Sequence, residues 1–379
     1  MKDTSSPKNL LFITGTRADY GKLERLALTA HKHGFSVTFF VTGMHMFDQY
    51  GLTKCEVHAR KEFLVTEFIN QRPGDPLDII LAKTILGFSD YIQQETPDLV
   101  IVHGDRIESL AISLVCATNY IKCAHVEGGE VSGTIDEIFR HCNTKLAWTH
   151  LVSSDLAKSR VCRLGEHPER IYNIGSPELD IHGLPTGLPL SEVKNRYDIS
   201  FDKFGICIFH PVTSEIDTLT DQANSLYSAL EQTDKPFIVI LPNNDPGTEG
   251  LIEIINRLPK SQFRVLPSMR FLYFSELLRN SSCIIGNSSV GVREAPFLGV
   301  PSLNIGTRQT NRAVSESVVH ATAFDVSSIT KFIDDYWDVK FPRNSAFGIG
   351  QSSDLFLSII QDENFWRQSF QKYFVDKLT

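Results

Sequence analysis

The sequence predicts an α/β protein with two doubly wound parallel sheets, and three observations support this fold class. Residues 99–102 are a short apolar run, which is typical of a strand buried on both faces of a parallel sheet. The run ends at a glycine and leads into residues 107–115, where apolar side chains recur at helical spacing. This pattern of strand, loop and helix recurs on both sides of a linker-like segment at residues 183–189.

The predicted strands therefore form two series. They are residues 10–13, 37–41, 99–102, 123–126, 150–152 and 171–174 in the first series, and residues 206–209, 237–241, 264–266, 283–285 and 302–305 in the second. A long polar stretch and a helix near residues 78–94 precede the strand at 99–102. We expect two Rossmann-like halves with a cleft between them.

The chain is predicted to divide into three segments. Residues 1–181 are the N-terminal domain, residues 182–362 the C-terminal domain, and residues 363–379 a terminal segment. Within that last segment, residues 364–373 are predicted to form an amphipathic helix. Its aromatic side chains must pack on another part of the protein; they are Phe365, Trp366, Phe370 and Phe374.

Composition indicates a globular protein and disfavours several classes. The apolar fraction of 42% and the charged fraction of 22% are ordinary. A net charge of −8 argues against a nucleic-acid binder, although local arginines can still hold a small anion. No apolar run approaches the ~18 residues that a membrane span needs. The seven cysteines are scattered and no apolar leader follows Met1, so we expect a reduced, cytoplasmic protein.

Polar clusters follow almost every predicted strand. They are Arg17, Asp105 with Arg106, Glu127, His210, residues 243–245, residues 287–289, and Thr307 with Arg308. The carboxyl ends of parallel strands share one edge of a sheet, and open α/β sheets bind ligands at that edge. The clusters therefore predict a cleft lined for an anionic, polyhydroxylated ligand.

Residues 286–295 are the most specific of these clusters. The hydroxyls of Ser288 and Ser289 and free backbone N–H groups would lie at the start of a helix, which suits a diphosphate. Glu294 could then bind ribose hydroxyls, and Arg17 could reach a phosphate. The alternative is a serine N-cap with glycines that only allow close packing.

Three acids are candidates for general acid–base chemistry. Asp105 and Glu127 each follow a strand, and Asp136 precedes a helix that carries Arg140. For Asp105 the alternative is a helix N-cap, and for Asp136 it is an N-cap or a first-turn acid. No Gly-x-Ser-x-Gly sequence is present, so a serine nucleophile is disfavoured.

A metal site is also disfavoured. His103, His125, His141 and His210 are spread over separate elements. His125 and Glu127 resemble half of a zinc-deaminase signature, but the Pro-Cys-x-x-Cys half is missing. We therefore expect no metal.

Seven segments together resemble the hydrolysing UDP-N-acetylglucosamine 2-epimerases of sialic-acid synthesis. They are residues 15–22, 41–45, 103–106, 127–136, 242–245, 286–289 and 306–309. They occur in the family's order between about residue 8 and residue 320. The resemblance implies a GT-B-like fold whose second domain holds most of the nucleotide and whose last helix crosses back to the first domain.

The resemblance also implies site residues. The catalytic group would be Asp105, Glu127, Asp136 and His210. Substrate contacts would come from Arg17, Lys22, Arg106, Arg140, Asn243, Arg270, Ser288, Ser289, Glu294 and Arg308. Enzymes of this family work without a metal or redox cofactor and are usually dimers or tetramers, so we expect a homo-oligomer whose partner molecule is a UDP-sugar, with no nucleic acid and no membrane.

The implied reaction releases UDP by anti elimination and then adds water to the resulting 2-acetamidoglucal, which gives N-acetylmannosamine. A base must take the C2 proton, an acid–base pair must hydrate the alkene, and cations must stabilise the departing diphosphate. We expect Asp136 to be the base and Asp105 with Glu127 to hydrate the alkene. His210 would assist the leaving group or the intermediate.

Other functions share parts of this pattern. A GT-B glycosyltransferase would need an acceptor, a non-hydrolysing 2-epimerase would release a UDP-linked sugar, and a nucleotide-sugar sensor would leave the three acids idle. The substrate could also be UDP-N,N′-diacetylbacillosamine or a GDP-linked sugar.

Overall fold

The computed structural model describes residues 7–48, 51–132, 135–242, 247–267, 269–312 and 315–376. The chain divides into two compact units. The first unit contains Met1–Glu130, Ile135–Asp180 and Phe347–Thr379, and the second contains Val131–Thr134 and Ile181–Ala346. The passage from Asp180 to Ile181 falls beside the predicted boundary at residue 181, whereas the return at Phe347 comes earlier than the predicted residue 363.

The first unit contains a seven-stranded parallel sheet in the order β3-β2-β1-β4-β5-β6-β7. Its strands are β1 (Asn9–Thr14), β2 (Ser36–Val41), β3 (Leu64–Glu67), β4 (Leu99–His103), β5 (Cys123–Val126), β6 (Thr149–Val152) and β7 (Ile171–Asn173). All residues of β4 are buried, as the apolar run predicted. β1 lies between β2 and β4, with Leu10 opposite both Val37 and Leu99.

The second unit repeats this topology with a six-stranded parallel sheet in the order β10-β9-β8-β11-β12-β13. Its strands are β8 (Gly205–Ile208), β9 (Phe237–Ile240), β10 (Phe263–Leu266), β11 (Ile284–Gly286), β12 (Ser302–Ile305) and β13 (Val318–Ala321). The prediction of two doubly wound Rossmann-like units is confirmed.

Helices follow most strands. They are α1 (Arg17–Lys32), α2 (Lys54–His58), α3 (Leu77–Gln94), α4 (Ile107–Thr118), α5 (Asp136–Leu146), α6 (Asp155–Arg163), α7 (Leu179–His182), α8 (Leu190–Arg196), α9 (Leu219–Glu231), α10 (Thr248–Ile255), α11 (Phe271–Arg279), α12 (Glu294–Leu298), α13 (Val326–Tyr336), α14 (Ser352–Gln361) and α15 (Glu363–Arg367). None of the helices in the described ranges is both long and apolar enough to cross a membrane.

Apolar side chains cover the sheet of the first unit. One core cluster combines β1 and β2 with α1, α14 and α15. A second cluster combines β1 and β4 with α3 and α4. α14 belongs to the first unit because Phe356 and Ile360 are buried in the first cluster, where Phe356 meets Phe12 at a ring distance of 6.3 Å.

The sequence prediction missed the strands β3 and β13. Both lie at a sheet edge, and their side chains are only partly buried. Leu64 in β3 is 65% exposed. Neither strand therefore needs the continuous apolar run that marks an interior strand.

The tail prediction was partly wrong. Only Glu363–Arg367 is helical, and the described residues after it have no regular secondary structure. This segment instead presents backbone carbonyls to the first unit, where Ser369 O accepts from Trp148 Nε1 at 2.9 Å and from Arg170 Nη2 at 2.7 Å. The tail does pack on the rest of the first unit, as predicted, because Phe365 is buried against Trp148.

Candidate active site

The topology of each sheet marks one place where a ligand can bind. In the first sheet β1 and β4 are neighbours whose connections leave in opposite directions, which opens a crevice beyond their carboxyl ends. In the second sheet β8 and β11 are the equivalent pair. The polar clusters after β1 and β4, and those after β8 and β11, therefore lie at the two topological switch points.

An imidazole between two carboxylates is the central feature of the first switch point. His103 Nδ1 lies 2.9 Å from Asp19 Oδ1, and His103 Nε2 lies 3.1 Å from Glu127 Oε2. All three residues are buried. Ionised carboxylates only accept hydrogen bonds, so both ring nitrogens must carry a proton to make both contacts.

This pairing shifts the pKa values of His103 and Asp19. Burial and the Lys22 charge oppose protonation of His103, but the contacts with Asp19 and Glu127 outweigh them and raise the pKa of His103. Burial alone would raise the pKa of Asp19, but the hydrogen bond from His103 lowers it. The arrangement therefore favours an imidazolium between two carboxylates.

Glu127 contacts a lysine and a hydroxyl as well as His103. Its Oε2 accepts from Lys22 Nζ at 2.8 Å, and its Oε1 accepts from Ser176 Oγ at 2.6 Å. Lys22 Nζ also lies 3.4 Å from Glu178 Oε1. The φ of Glu127 is +63°, which is uncommon for a residue with a side chain and typical of strained functional positions.

Asp105 does not cap α4, so that alternative is wrong. The N-cap of α4 is Arg106. Asp105 instead forms an ion pair with the buried Arg140 of α5, whose Nη1 also donates to Glu130 O at 3.2 Å. Arg140 lies one helical turn after the half-buried Asp136. Asp105, through its pair with Arg140, and Asp136 therefore both lie beside the first half of α5.

The peptide before Asp105 is held by two side chains. His125 Nε2 donates to Gly104 O at 2.7 Å, and Asn143 Nδ2 donates to the same oxygen at 3.2 Å. Burial lowers the pKa of His125 to about 3, so its ring is neutral and structural. Asp105 therefore projects from a backbone position that is fixed by two buried partners.

Arg17 and Arg106 follow β1 and β4, the two strands at this switch point. Arg17, the first residue of α1, pairs with Glu56 through both Nε and Nη2. Arg106 Nε lies 3.5 Å from Oε2 of the buried Glu108. Gly43 makes room for Glu108, because a Cβ at Gly43 would lie 2.9 Å from Glu108 Oε1.

At the second switch point Asn287 fixes His210. His210 N donates to Asn287 Oδ1 at 2.7 Å, and Asn287 Nδ2 donates to His210 O at 2.8 Å. This close approach of β8 and β11 requires a glycine at position 286. A Cβ on Gly286 would lie 2.0 Å from Ile208 O, and its φ is +137°.

The loop after β11 is less helical than predicted. Ser288 caps a short 3₁₀ turn, Ser289–Gly291, and α12 begins only at Glu294. Glu294 is thus the first residue of a five-residue helix, whereas the helix was predicted to start at Ser288 and Ser289. The helix-dipole contribution expected for a diphosphate is correspondingly small, and the N–H groups and hydroxyls of the loop remain as candidate donors.

The remaining predicted contacts are distributed as follows. Arg308 is half-buried and donates from Nη1 to Asn287 O at 3.3 Å, beside Gln309 Nε2 at 2.9 Å. Arg270 is exposed just before α11. Asn243 lies outside the described residues. Within the described ranges no group of three or more His, Cys, Asp or Glu side chains is arranged to hold a metal ion.

Sequence reasoning missed several members of the first cluster. Asp19 and Glu178 were not singled out, and His103 was considered only as a metal ligand. Ser176 and Glu178 follow β7, so the strand-end pattern could have found them. Their pairing with Lys22 and Glu127 depends on which strands are neighbours, which one sequence does not show.

The fold defines a class. A crystal structure of UDP-GlcNAc 2-epimerase from Neisseria meningitidis bound to UDP-GlcNAc superposes with a TM-score of 0.77 at 18% identity, covering 93% of this chain and 99% of that chain. The protein is thus a GT-B-like α/β protein with two Rossmann-like units, as predicted.

Sequence comparison assigns the family. The family model described as UDP-N-acetylglucosamine 2-epimerase matches residues 27–361. A UDP-N-acetylglucosamine 2-epimerase from Neisseria meningitidis serogroup B is 39% identical over 97% of this chain and 99% of its own length. A UDP-N,N′-diacetylbacillosamine 2-epimerase (hydrolyzing) from Legionella pneumophila is 32% identical over 92% and 94% of the two chains. The chain belongs to the UDP-N-acetylglucosamine 2-epimerase family.

Proposed function

We propose that this protein is a hydrolysing 2-epimerase that converts UDP-N-acetylglucosamine and water to N-acetylmannosamine and UDP. The observation that carries the proposal is the buried group of Asp19, His103 and Glu127 at the first switch point, with Lys22 beside it. It adjoins the strand that presents Asp105, since Gly104 N donates to Val126 O just before Glu127. Such a group suits a reaction that moves several protons at one sugar ring.

The proposed reaction begins at C2 of the sugar. Asp136 takes the C2 proton, the electron pair of that C–H bond forms the C1–C2 double bond, and the C1–O bond breaks so that UDP leaves. The products of this step are 2-acetamidoglucal, UDP and protonated Asp136. Because the C2 proton is only weakly acidic, departure of UDP must accompany its removal.

Hydration then completes the reaction. A water adds its oxygen to C1 and C2 receives a proton on the face opposite to the one it lost, which gives N-acetylmannosamine. We assign the activation of water to Glu127, which takes its proton, and the delivery of the C2 proton to Asp105, which takes that proton from solvent. Asp136 and Glu127 then release their protons to solvent before the next turnover. The His103 ring, held 3.1 Å from Glu127, would keep that carboxylate in place as it accepts the proton of water.

We assign UDP to the second unit, and Arg17 stays a predicted phosphate contact. The N–H groups and hydroxyls of residues 286–291 would bind the diphosphate, with Arg308 beside them and Glu294 on the ribose. His210 would assist the leaving group. Arg106, Arg270 and Asn243 stay predicted contacts. Lys22 and Arg140 contact Glu127 and Asp105, so we propose that they orient these acids.

Product analysis tests the proposal. The full chain is incubated with UDP-N-acetylglucosamine alone, and the sugars are followed by NMR spectroscopy. Free N-acetylmannosamine and UDP in equal amounts are expected. UDP-N-acetylmannosamine would indicate a non-hydrolysing epimerase, and an intact donor that is consumed only with an acceptor would indicate a glycosyltransferase.

A second substrate is favoured by the Legionella relative, whose name gives UDP-N,N′-diacetylbacillosamine. The same assay with that donor, and with a GDP-linked sugar, compares kcat/KM values directly. We expect UDP-N-acetylglucosamine to have the highest value, because the Neisseria relative named for it is more similar to this chain.

We further propose a cytoplasmic homo-oligomer, a dimer or a tetramer, that supplies N-acetylmannosamine for sialic-acid synthesis. A reducing compartment is supported by the seven cysteines, which are all free. Light scattering of the purified protein measures the oligomeric state.

A further inference from the structure

A buried chain of three polar side chains lies in the second unit. His182 Nε2 is 2.7 Å from Glu294 Oε2, and Ser275 Oγ is 2.8 Å from His182 Nδ1. His182 is 1% exposed, Ser275 0% and Glu294 4%. The three residues come from three separate helices, α7, α11 and α12. Neither His182 nor Ser275 was singled out by the sequence.

Hydrogen-bond donors and acceptors can be assigned among these three side chains. Glu294 in its ionised form only accepts, so His182 Nε2 must carry the proton that lies between them. The Ser275 hydroxyl can donate to Nδ1 or accept from it, and it therefore satisfies either state of the ring. One oxygen of Glu294 is fixed in this way, and the carboxylate has further lone pairs for a second partner.

His182 is itself held firmly. Its carbonyl accepts from Arg279 Nη2 at 2.8 Å, and its ring packs against the Phe271 ring with centroids 5.1 Å apart. A buried histidine with both ring nitrogens and its backbone engaged has one orientation. It can therefore transmit that orientation to the Glu294 carboxylate.

We propose that His182 and Ser275 are positioning residues that orient Glu294 to accept both hydroxyls of the ribose cis-diol of a nucleoside diphosphate. The inference rests on the proposed function, which places Glu294 on the ribose. Glu294 lies directly after the loop assigned to the diphosphate, so a nucleotide held by that loop brings its ribose to the start of α12. A carboxylate fixed by a buried partner binds a diol with little loss of side-chain freedom.

The test compares UDP with 2′,3′-dideoxy-UDP, which lacks the diol, by calorimetry on the full chain. The natural protein should bind UDP about 10-fold to 100-fold more tightly, because hydrogen bonds to a charged group contribute that much. In His182→Phe, which keeps an aromatic ring against Phe271, the ratio of the affinity for UDP to that for 2′,3′-dideoxy-UDP should fall below about threefold. Ser275→Ala should reduce it by a smaller factor.

Two further variants separate positioning from a general structural effect. His182→Gln keeps a donor for Glu294 and should restore part of the ratio. His182→Phe combined with Glu294→Gln should lower the ratio no further than Glu294→Gln alone, because both changes remove the same interaction.

His150→Phe is the matched control. His150 is also fully buried, and its Nε2 lies 3.0 Å from Glu166 Oε2 in the first unit. This variant loses an equivalent buried histidine–glutamate contact and should be less stable, but it should keep the ratio of the natural protein.

Each outcome decides the inference. If the natural protein discriminates and His182→Phe discriminates equally, the positioning role is wrong while the nucleotide site stands. If the natural protein does not bind UDP, or binds both nucleotides equally, the proposed site itself is wrong and the inference fails with it. If His182→Phe does not fold, the ratios of His182→Gln and Ser275→Ala decide, and unchanged ratios in both overturn the inference.

Discussion

Asp136 is the side chain on which the proposed elimination most depends. It is the first residue of α5, where a carboxylate also interacts favourably with the helix terminus. Asp136→Asn removes the base but keeps the shape of the side chain. We expect kcat to fall by about 10²- to 10⁴-fold with UDP affinity nearly unchanged, as measured by steady-state kinetics and calorimetry.

Glu137→Gln is the matched control for this variant. Glu137 is also in the first turn of α5, where its Oε1 lies 3.4 Å from His141 Nε2. Its substitution should change kcat by less than about twofold, because a partly exposed contact of this kind contributes little. Similar losses in the two variants, or a parallel loss of UDP affinity in Asp136→Asn, would indicate a structural role for the first-turn acids.

The second residue-scale prediction concerns pH. A group whose pKa is raised by folding stabilises the protein below its unfolded pKa and loses that contribution as the pH rises through the folded value. The pKa of His103 is raised in this way. The natural protein should therefore exceed His103→Gln in free energy of unfolding by on the order of 3 kcal/mol at pH 6, and by less as the pH rises above that.

Urea denaturation between pH 6 and 9 measures this difference. Ser109→Ala is the control, because Ser109 Oγ donates to His103 O at 2.9 Å without titrating. Its effect should not vary with pH. A constant difference between the natural protein and His103→Gln would show that His103 is neutral in the folded state.

A site residue could be predicted when the pattern that marks it is local in the sequence, but not when it is marked by a partner from a distant segment. Strand-end positions identified Asp105, Glu127 and Asn287, because a strand followed by a loop is visible locally. The pairs Asp19–His103 and Lys22–Glu178 join residues that follow or end different strands. Their charges and pKa shifts depend on strand order, which a single sequence does not contain.

At the scale of elements, the segment after α15 supports α5. Lys372 Nζ donates to Ala147 O at 2.6 Å and to Lys145 O at 2.9 Å, and it pairs with the buried Glu166 at 2.6 Å. A cation at the carboxyl end of a helix satisfies its free carbonyls. The irregular tail thus stabilises the C-terminal end of the helix that carries Asp136 and Arg140.

Lys372→Met should lower the free energy of unfolding by roughly 2 to 4 kcal/mol, because Glu166 then loses one of its charged partners and the α5 carbonyls lose their donor. Thermal or urea unfolding measures the change. Lys203→Met is the control. Lys203 forms an exposed pair with Asp338, and its loss should cost less than about 0.5 kcal/mol. Equal effects in the two variants would contradict the supporting role of the tail.

The loop after β11 gives the second element-scale test. Ser288→Ala together with Ser289→Ala should weaken UDP binding by about tenfold or more, because hydroxyl donors to a diphosphate are lost. The adjacent serines Ser327 and Ser328, which donate to Asp325, offer a matched double variant. That control should keep the UDP affinity, and unchanged affinity in both would show that the diphosphate lies elsewhere.

Fully buried strands were predicted most closely. β4 and β5 are fully buried, and their apolar runs gave nearly the observed bounds. β3 and β13 lie at sheet edges, and the helix expected for residues 364–373 ends at Arg367 because the chain turns to bond through its carbonyls. Tertiary hydrogen bonds of this kind leave no periodic signal in the sequence.

At the scale of the whole molecule, the same topology occurs twice with different side chains at the switch point. The first unit places carboxylates, an imidazolium and lysine there, and the second places an amide, hydroxyls and an arginine. We infer a division of labour in which the first unit performs the proton transfers and the second holds the nucleotide.

The most direct test of this account follows the isotopes of the sugar. The protein is incubated with UDP-N-acetylglucosamine in D₂O, and separately in H₂¹⁸O, and the products are examined by NMR spectroscopy and mass spectrometry. We predict N-acetylmannosamine with deuterium at C2 and ¹⁸O at C1, together with unlabelled UDP. Retention of the original hydrogen at C2, or ¹⁸O in UDP, would contradict elimination followed by hydration.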